Sequence, residues 1–386
     1  MHKTFLLSLF IALTLPLQAA EPLCGADQVE AWLPFTRNKK VALVVNQTSR
    51  VGQTHLVDSM LSLGVQIQGI FAPEHGFRGD HGAGEKVKSS KDVQTGLPII
   101  SLYGKHKKPT KADLAGVDLV IFDIQDVGAR FYTYISTMHY VMEACAEQAI
   151  PFLVLDRPNP NGFYVDGPVL DTNFKSFVGM HPIPVVHGMT IGEYAQMING
   201  EGWLNGGIQC NLAVVQVKHY KHTDRYSLPV APSPNLPNDL AIAWYPSLCF
   251  FEGTPISLGR GTNKPFQLIG HPNWKGKVWV DTVFVPVPIA HAAPNPPLKG
   301  DTCFGKVFNA PPDEEGMLHL EYLFQTYDST NKAYFTSFFA LLAGGKSMAN
   351  AIESGMSYED YRATWTDDLD RFKAIRKKYL LYPDFE

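Results

Sequence analysis

The sequence predicts an α/β protein with a parallel sheet covered by helices on both faces, followed by a smaller mixed domain. From Val41 to about Val217, apolar segments alternate with amphipathic ones. The apolar segments are continuous rather than alternating, which is typical of strands buried on both faces. A Pro-rich segment, "LPVAPSPNLPND", then ends this rhythm. We therefore expect a domain hinge there and a smaller α+β domain beyond it.

The first twenty residues, "MHKTFLLSLFIALTLPLQAA", have the pattern of a secretory signal. A short basic start precedes an apolar core that is too short to span a membrane comfortably. Leu23 before Cys24 argues against a lipidated cysteine, which needs a small residue at that point. We predict a signal peptide at 1–20, a first domain at 21–238 and a C-terminal domain at 239–386. The protein is then exported, to the periplasm or beyond, with no membrane association after signal removal.

Six strands and three helices are predicted in the first domain. The strands are the runs "VALVVN", "VQIQGI", "LPIISLYG", "DLVIFDIQD", "PFLVLD" and "LAVVQVKHY". The helices are "THLVDSMLSLG", closed by Gly64, then 134–148, and "TIGEYAQMING", in which Thr190 and Glu193 form a capping box. In the second domain, "PISLGRGTNKPFQLIG" and "KVWVDTVFVPV" resemble strands. Ser357 and Asp360 are expected to cap the last helix.

Composition excludes several classes of function. The chain has 386 residues, a net charge of −4 and no basic block beyond a short "IRKK", so nucleic acid is not an expected partner. Its five cysteines form no C-x-x-C pair, which leaves zinc and redox motifs unsupported. One or two disulfides are compatible with export, and buried thiols are the alternative for Cys145 and Cys249. Nothing in the sequence indicates the oligomeric state.

Polar side chains follow five of the predicted strands at the point where each strand ends. Ligands of open parallel sheets bind beyond these carboxyl ends, so we expect the groups to form a site there. The strand-end residues are Asn46, Glu74, His75, Tyr103, Asp123, Gln125, Asp126, Asp156, Arg157, Asn159 and Asn161.

The sequence lacks the motifs that bind the usual ligands of such a site. No G-x-G-x-x-G follows the first strand, "GDHGAGEK" is not a phosphate-binding loop, and no G-x-S-x-G is present, so no cofactor is expected. A metal is the main alternative, although no recognised ligand spacing appears. Its candidate ligands are Glu74, His75, Asp80, His81, Asp123 and Asp126.

The remaining set of carboxylates, amides, arginines and aromatics suits a sugar ligand. Glycoside cleavage needs a carboxylic acid that protonates the leaving oxygen and a second group that acts at the anomeric carbon. Glu74, in "FAPEHGFRG", follows a strand directly and is our candidate for the acid. The alternative is that Glu74 forms a structural ion pair with Arg78.

The motifs of this chain together resemble the exo-β-N-acetylmuramidases of glycoside hydrolase family 171. They are "FAPEHGFRG", "SLYG", "DIQDVGARFYTYISTM", "LDRPNPNG", "HGMTIGEYA", "SPNLP" and "EGTPISLGRGTNKPFQLIGHP". The resemblance implies a Rossmann-like domain without a nucleotide and a smaller domain that closes a cleft. It also implies release of N-acetylmuramic acid (MurNAc) from the non-reducing ends of peptidoglycan fragments such as MurNAc-GlcNAc, where GlcNAc is N-acetylglucosamine.

The motif glutamate corresponds to Glu74, the implied catalytic acid. Asp126 and Glu252 are the candidates for the second catalytic group, whereas Asp123 is more typical of a structural carboxylate. MurNAc carries a lactyl carboxylate, for which an arginine is the expected ligand. The substrate-binding candidates are Asn46, His75, Tyr103, Asp123, Arg130, Tyr134, Arg157, Asn161, His187, Asn235, Arg260 and Asn263.

Two other functions remain open from the residues alone. One is a periplasmic sugar-binding protein without catalysis, and the other is a metal-dependent hydrolase. The stereochemical outcome also stays open, because the substrate's own 2-acetamido group can replace an enzyme nucleophile.

Overall fold

A seven-stranded sheet forms the centre of the first domain. The computed structural model describes residues 20–78, 90–313, 316–327, 329–330 and 333–386, so the predicted signal peptide lies outside the described residues. The strands are β1 Lys40–Val45, β2 Arg50–Val51, β3 Thr54–His55, β4 Gln66–Ala72, β5 Ser90–Lys91, β6 Pro98–Ser101, β7 Leu119–Asp123, β8 Phe152–Leu155, β9 Leu212–Val215, β10 Leu268–His271, β11 Thr282–Phe284 and β12 Cys303–Val307. The helices are α1 Val29–Thr36, α2 Leu56–Ser62, α3 Tyr134–Glu147, α4 Ile191–Gly200, α5 Asp239–Leu248, α6 Glu321–Gln325, α7 Ser337–Ala343, α8 Ser347–Glu353, α9 Tyr358–Ala363 and α10 Thr366–Arg376.

The sheet order is β5-β6-β4-β1-β7-β8-β9, and all pairings except β5 with β6 are parallel. Read along the six parallel strands, this is the 3-2-1-4-5-6 order of a Rossmann-like fold. The predicted parallel sheet is therefore confirmed. β1 and β7 are buried along nearly their whole length, which explains why their sequences are continuously apolar.

The crevice between β1 and β7, where such folds bind nucleotides, is filled by the protein's own loop. The Asn46 side chain accepts hydrogen bonds from the backbone N–H (2.9 Å) and hydroxyl (2.6 Å) of Thr48. The Thr48 hydroxyl in turn accepts from the backbone N–H of Gln125, at 3.0 Å. Ser49 donates to the backbone carbonyl of Asp123, at the end of β7. These bonds link the ends of β1 and β7 within the protein.

The helices of the first domain follow the sequence signals closely. α2 ends just before Gly64, whose φ of 77° suits a helix terminus. α4 has the predicted capping box, in which Thr190 and Glu193 each bond the other's backbone N–H. The Thr190 hydroxyl also donates to the buried carboxylate of Asp156, at 2.7 Å. This second bond ties the start of α4 to the end of β8.

The second domain contains a three-stranded antiparallel sheet of order β10-β12-β11 and the helices α6 to α10. Two sequence predictions are wrong in detail there. Most of "PISLGRGTNK" is irregular, with one isolated bridge between Ser257 and Gly270. Ser357 caps α9 rather than the last helix, because the chain turns at Thr364 and α10 begins after it. The domain limits themselves stay a prediction.

The C-terminal segment returns to the first domain. The Tyr382 hydroxyl donates to Asp156 (2.5 Å), and the Leu381 N–H donates to Glu193 (2.8 Å). Arg376, which is buried, holds Asp384 through two bonds of 2.7 and 2.8 Å. The last residues therefore stabilise the strand end of β8 and the start of α4.

All five cysteines are buried free thiols. The alternative of buried thiols applies to Cys145 and Cys249, and none of the five forms a disulfide. In the described part of the chain, no helix has the length and apolar character needed to cross a bilayer.

Candidate active site

A cavity of about 750 Å³ lies beyond the carboxyl ends of β4 and β6 and is walled on its other side by the second domain. Polar and aromatic side chains line it. The first domain contributes Glu74, His75, Tyr103, Phe131, Tyr132, Thr133, Tyr134, Phe177 and Val178. The hinge and the second domain contribute Ser233, Asn235, Leu236, Tyr245, Cys249, Glu252, Arg260, Phe266, residues 292–297, Phe338 and Leu342.

Glu74 lies in a tight turn directly after β4. The turn is closed by a 3.1 Å bond from the Gly76 N–H to the Pro73 carbonyl. His75, its third residue, has a φ of 70°, a conformation that glycine or asparagine normally occupies. The hydrogen bond therefore closes the turn that carries Glu74, and the surrounding structure holds the buried His75 in this strained conformation.

Two hydroxyl groups hold the Glu74 carboxylate. Thr133 Oγ1 donates to Glu74 Oε2 at 3.0 Å, and Tyr103 forms a second side-chain hydrogen bond to the same carboxylate. Burial and then the charge of Glu74 raise the pKa of Tyr103, so its hydroxyl stays protonated and donates. Arg78, the alternative partner considered from sequence, pairs instead with Asp92 at 3.1 Å. Glu74 is thus oriented into the cavity by neutral donors on two sides.

Buried tyrosines form the floor beside Glu74. The rings of Tyr132 and Tyr134 pack edge to face with centroids 4.9 Å apart. The Tyr132 hydroxyl donates to the Pro232 carbonyl at 2.8 Å, which links the floor to the Pro-rich hinge. Burial and then the charge of Glu74 raise the pKa of Tyr134. The floor is therefore rigid, aromatic and uncharged.

The opposite wall carries a second carboxylate and a guanidinium. Glu252 lies in a short 3₁₀ helix, Cys249–Gly253, that continues from α5. Its Oε1 accepts from Arg260 Nε at 2.7 Å and also from Arg260 Nη2. The guanidinium lies 5.0 Å from the centroid of the Phe266 ring. Despite burial, the charge of Glu252 raises the pKa of Arg260, which keeps the guanidinium charged.

Comparison with known proteins places this cavity in an enzyme family. Residues 41–240 match the family model "Exo-beta-N-acetylmuramidase NamZ, N-terminal", and residues 243–382 match the corresponding C-terminal model. The chain belongs to the exo-β-N-acetylmuramidase NamZ family. It is accordingly a glycosidase, and the family predicted from the motifs is confirmed.

One curated protein and two crystal structures are also similar to this chain. The peptidoglycan β-N-acetylmuramidase NamZ of Bacillus subtilis (strain 168) is 43% identical over 336 residues, which is 82% of this chain and 80% of that protein. A crystal structure of a DUF1343 family protein from Bacteroides fragilis has a TM-score of 0.87 at 46% identity, covering 95% of this chain and 100% of that chain. A second one from the same species has a TM-score of 0.79 at 29% identity, covering 94% and 99%.

Six of the residues chosen from sequence line the cavity together with Glu74: His75, Tyr103, Tyr134, Asn235, Glu252 and Arg260. Asn235 is almost fully buried, and its Nδ2 donates a hydrogen bond of 2.8 Å to the Ala292 carbonyl. These seven come from both domains. The predicted strand-end site and the second-domain motifs therefore meet in one place in this NamZ family member.

Asp123 and Arg157, which were expected to contact substrate, lie outside the cavity lining and bind each other instead. Arg157 Nε donates to Asp123 Oδ1 at 2.6 Å and Nη2 donates to Oδ2 at 2.9 Å. Both residues are buried. Because this bidentate ion pair occupies both groups, Arg157 stabilises the carboxyl end of the sheet and is not part of the cavity wall.

Asp126 and His187 form a second buried pair, also outside the cavity lining. Asp126 Oδ2 accepts from the Gly128 N–H at 2.7 Å and lies 3.6 Å from His187 Nε2. Asn161 is nearby in the same framework, where its side-chain amide donates to the Val127 carbonyl at 2.8 Å. Asp126, a predicted catalytic residue, is therefore buried and is not among the residues that line the cavity.

Arg130, another candidate for the lactyl carboxylate, is fully buried away from the cavity lining. Its guanidinium donates to the backbone carbonyls of Pro168 (2.7 Å), Ile183 (2.9 Å) and Leu342 (3.0 Å). Burial lowers the pKa of Arg130 to about 10. Its contacts show a role in fastening the second-domain helix α7 to the first domain.

Asn46 and Asn263 are also absent from the cavity lining. Asn46 is buried within the loop after β1, and Asn263 is exposed on the second domain. The metal ligands considered from sequence include Asp80 and His81, which lie outside the described residues. Among the residues that the structure does describe, no three histidine, cysteine or acidic side chains are grouped so as to hold a metal.

Several lining residues escaped the sequence analysis. Tyr245 lies on α5, a helix that contains Pro246 and follows the Pro-rich hinge, so no helical pattern was recognised there. Ser233 and residues 292–297 lie in irregular segments. The hinge motif "SPNLP" was the one available signal, because a Pro-rich segment between two domains runs beside the cleft that the domains form.

Proposed function

We propose that this protein is an exo-acting muramidase that releases MurNAc from the non-reducing ends of peptidoglycan fragments such as MurNAc-GlcNAc, with Glu74 as the catalytic acid. The observation that carries this proposal is the position of Glu74 in the cavity, where a rigid turn and two hydroxyl donors orient it. The NamZ relative from Bacillus subtilis is described as a peptidoglycan β-N-acetylmuramidase, which supports the substrate class.

In the proposed reaction, Glu74 gives its proton to the oxygen that links MurNAc to the next sugar. The bond between that oxygen and the anomeric carbon breaks, and the leaving sugar departs with a neutral hydroxyl group. Thr133 and Tyr103 act as positioning residues, because their hydroxyls hold the carboxyl group at the angle that the transfer needs. They can also stabilise the carboxylate that remains.

Glu252 is the second acidic residue in the described lining of the cavity and hence the candidate for the second catalytic group. Its Oε1 accepts two N–H groups of Arg260, so its charge is partly compensated and it is a weak nucleophile. We therefore assign the attack on the anomeric carbon to the 2-acetamido oxygen of MurNAc itself, with Glu252 as a polarising and orienting group. Water then attacks the anomeric carbon of the resulting oxazolinium ion, gives a proton to the Glu74 carboxylate, and breaks the bond to the acetamido oxygen, which releases MurNAc. This route retains the anomeric configuration.

Arg260 is the proposed ligand of the lactyl carboxylate. It is the arginine of the three considered from sequence that lines the cavity, and Glu252 accepts from its Nε and Nη2. Among the described residues no hydrogen bond is made to the third nitrogen, Nη1, and we assign this atom to the ligand. A guanidinium fixed in this way offers a carboxylate a charge-assisted bond, which a GlcNAc residue has no group to receive.

We further propose that the protein is exported, to the periplasm or to the medium. The support is the N-terminal pattern of 1–20, with its basic start, apolar core and small residues at 19 and 20. Wall fragments with free MurNAc ends arise outside the cytoplasmic membrane, which places enzyme and substrate in one compartment.

The test of the function uses two disaccharides of opposite order. The mature protein is incubated with MurNAc-GlcNAc and with GlcNAc-MurNAc, each with and without EDTA, and the products are separated by chromatography. We expect free MurNAc from the first disaccharide alone, at a rate that EDTA leaves unchanged. Proton NMR should show the β-anomer of MurNAc first. Absence of cleavage, or equal cleavage of both disaccharides, would refute the proposal, and initial α-MurNAc would refute the acetamido route.

A further inference from the structure

Phe338 is an exposed apolar side chain at the cavity whose presence the fold does not explain. It keeps 36% of its surface exposed, although it lies in the middle of a segment rich in phenylalanine. It makes no ring contact with any described aromatic side chain, whereas its neighbour Phe339 packs against Phe335 and Phe250. In helix α7, Phe339 therefore packs against the protein core, whereas Phe338 lines the cavity.

The backbone at Phe338 is firmly held, so the ring is presented in a fixed place. Both the N–H (2.8 Å) and the hydroxyl (3.1 Å) of Thr336 donate to the Gly253 carbonyl. Gly253 ends the short helix that carries Glu252. The Phe338 ring and the Glu252–Arg260 pair are thus parts of one wall.

The aromatic residues that line the cavity differ in exposure, and this difference distinguishes the closed end of the cavity from its open end, the mouth. Phe131, Tyr134 and Phe266 are almost completely buried, so they form the closed end. Tyr103 and Phe177 are half-buried, and Phe338 is the most exposed of the eight phenylalanines and tyrosines that line the cavity. An exo-acting enzyme places the terminal sugar in the closed end, and the rest of the chain leaves through the mouth. The leaving sugar then lies on the side of the more exposed rings, of which Phe338 is one.

From this geometry we infer that Phe338 forms the binding subsite for the sugar on the leaving side of the cleaved bond. The occupant is a pyranose ring, whose C–H face covers the aromatic ring and removes its exposed apolar surface from water. Phe177, a half-buried phenylalanine of the lining, is less suited to this contact. Lys107 Nζ lies 4.5 Å from its centroid, and Tyr140 is stacked on it at 6.4 Å.

This inference rests on the proposed function and adds the identity of the leaving-side contact. It predicts that the contribution of Phe338 to KM increases with the size of the leaving group. A disaccharide covers the ring, whereas a methyl glycoside of MurNAc cannot reach it. The acid, the guanidinium and the terminal sugar are the same for both substrates, so their contribution cancels in the comparison.

The test measures KM and kcat of Phe338→Ala on MurNAc-GlcNAc and on methyl β-MurNAc. We expect KM for the disaccharide to rise roughly three- to tenfold, as follows from losing part of one aromatic contact, and KM for the methyl glycoside to stay within about twofold. Phe338→Trp keeps an aromatic face and should restore the disaccharide KM. Alanine is well tolerated in a helix, so the variant should fold.

Phe35 supplies the matched control. It lies on α1, is 39% exposed and does not line the cavity, so Phe35→Ala should change neither KM. Equal effects of Phe338→Ala on both substrates, or no effect on either, would overturn the subsite. Loss of MurNAc release by the unmodified protein would instead overturn the proposed function, so the two failures are distinguishable.

Discussion

Arg260 shows how one residue can be both structural and specific. Two of its nitrogens are engaged by Glu252, so the side chain pays no further ordering cost when a ligand arrives. Arg130 and Arg157 carry the same charge but are enclosed by carbonyls and by Asp123. The structure is needed to distinguish the arginine that lines the cavity from the two that are enclosed. In the sequence, each of the three lies in a motif of the predicted site.

Replacement of Arg260 should therefore reduce discrimination between sugars. For Arg260→Ala, we expect the preference for a MurNAc glycoside over the matching GlcNAc glycoside to fall by about one to two powers of ten, since a charge-assisted bond contributes roughly 1.5–3 kcal/mol. The ratio of the two kcat/KM values gives the result. Arg371→Ala, at an exposed arginine, is the control. An unchanged preference would show that another group binds the lactyl carboxylate.

At the scale of elements, the sheet was predictable because its signals are local. A buried strand is recognisable from its apolar run, and the capping box of α4 from two residues three apart. The strand ends were predictable too, and they brought Glu74, His75 and Tyr103 to the cavity. Sequence alone could not distinguish Asp123 and Asp126 from these cavity residues. Their partners are distant along the chain, because Arg157 lies 34 residues after Asp123 and His187 lies 61 residues after Asp126.

Helices α3 and α4 are joined by a buried histidine pair. His181 Nε2 lies 2.9 Å from His139 Nδ1 on α3, and His181 Nδ1 lies 2.8 Å from the Tyr194 hydroxyl on α4. Burial lowers the pKa of His139 to about 4, although nearby Glu143 opposes this, and burial lowers that of His181 well below its usual value. Both rings are therefore neutral in the folded protein at neutral pH.

This pair should make the protein less stable in mild acid. In the unfolded chain both histidines take up protons near pH 6.5, whereas the folded state binds them only at much lower pH, so stability is complete above pH 6.5 and falls as pH drops toward 4. His139 should contribute about 2 kcal/mol of loss between pH 7 and pH 5, and His181 should add a loss in the same direction. Urea unfolding of His139→Gln should show a correspondingly flatter pH dependence than the unmodified protein. His219→Asn, at an exposed position, should not, and superimposable profiles for His139→Gln and the unmodified protein would contradict the account.

At the scale of the whole molecule, the walls of the cavity come from separate parts of the chain, and the last residues fasten the C-terminal end of the chain to the first domain. Tyr382 is the central contact, because its hydroxyl donates to Asp156 and accepts from the Val217 N–H at 2.9 Å. Burial raises the pKa of Asp156 to about 6, and the Tyr382 hydroxyl partly offsets this by bonding the charged form.

Removal of this hydroxyl should destabilise the fold without touching catalysis. For Tyr382→Phe we expect a loss of about 1–3 kcal/mol in the free energy of unfolding, because a buried carboxylate oxygen loses a donor, and an unchanged kcat on MurNAc-GlcNAc. Tyr379→Phe removes a bond to the less buried Glu201 and should cost less. Equal losses for the two variants in urea unfolding, or a lower kcat for Tyr382→Phe, would show that the segment acts differently.

The assignment of Glu74 as catalytic acid is tested most directly by Glu74→Gln on two MurNAc glycosides that differ in leaving group. Loss of the acid should reduce kcat on MurNAc-GlcNAc by about 100-fold or more, because the sugar oxygen cannot leave unprotonated. A para-nitrophenyl glycoside needs no proton to leave, so its kcat should fall far less, and the urea midpoint should stay unchanged. Near-normal turnover of MurNAc-GlcNAc by Glu74→Gln, or an equally large loss on both substrates in a folded variant, would contradict the assignment.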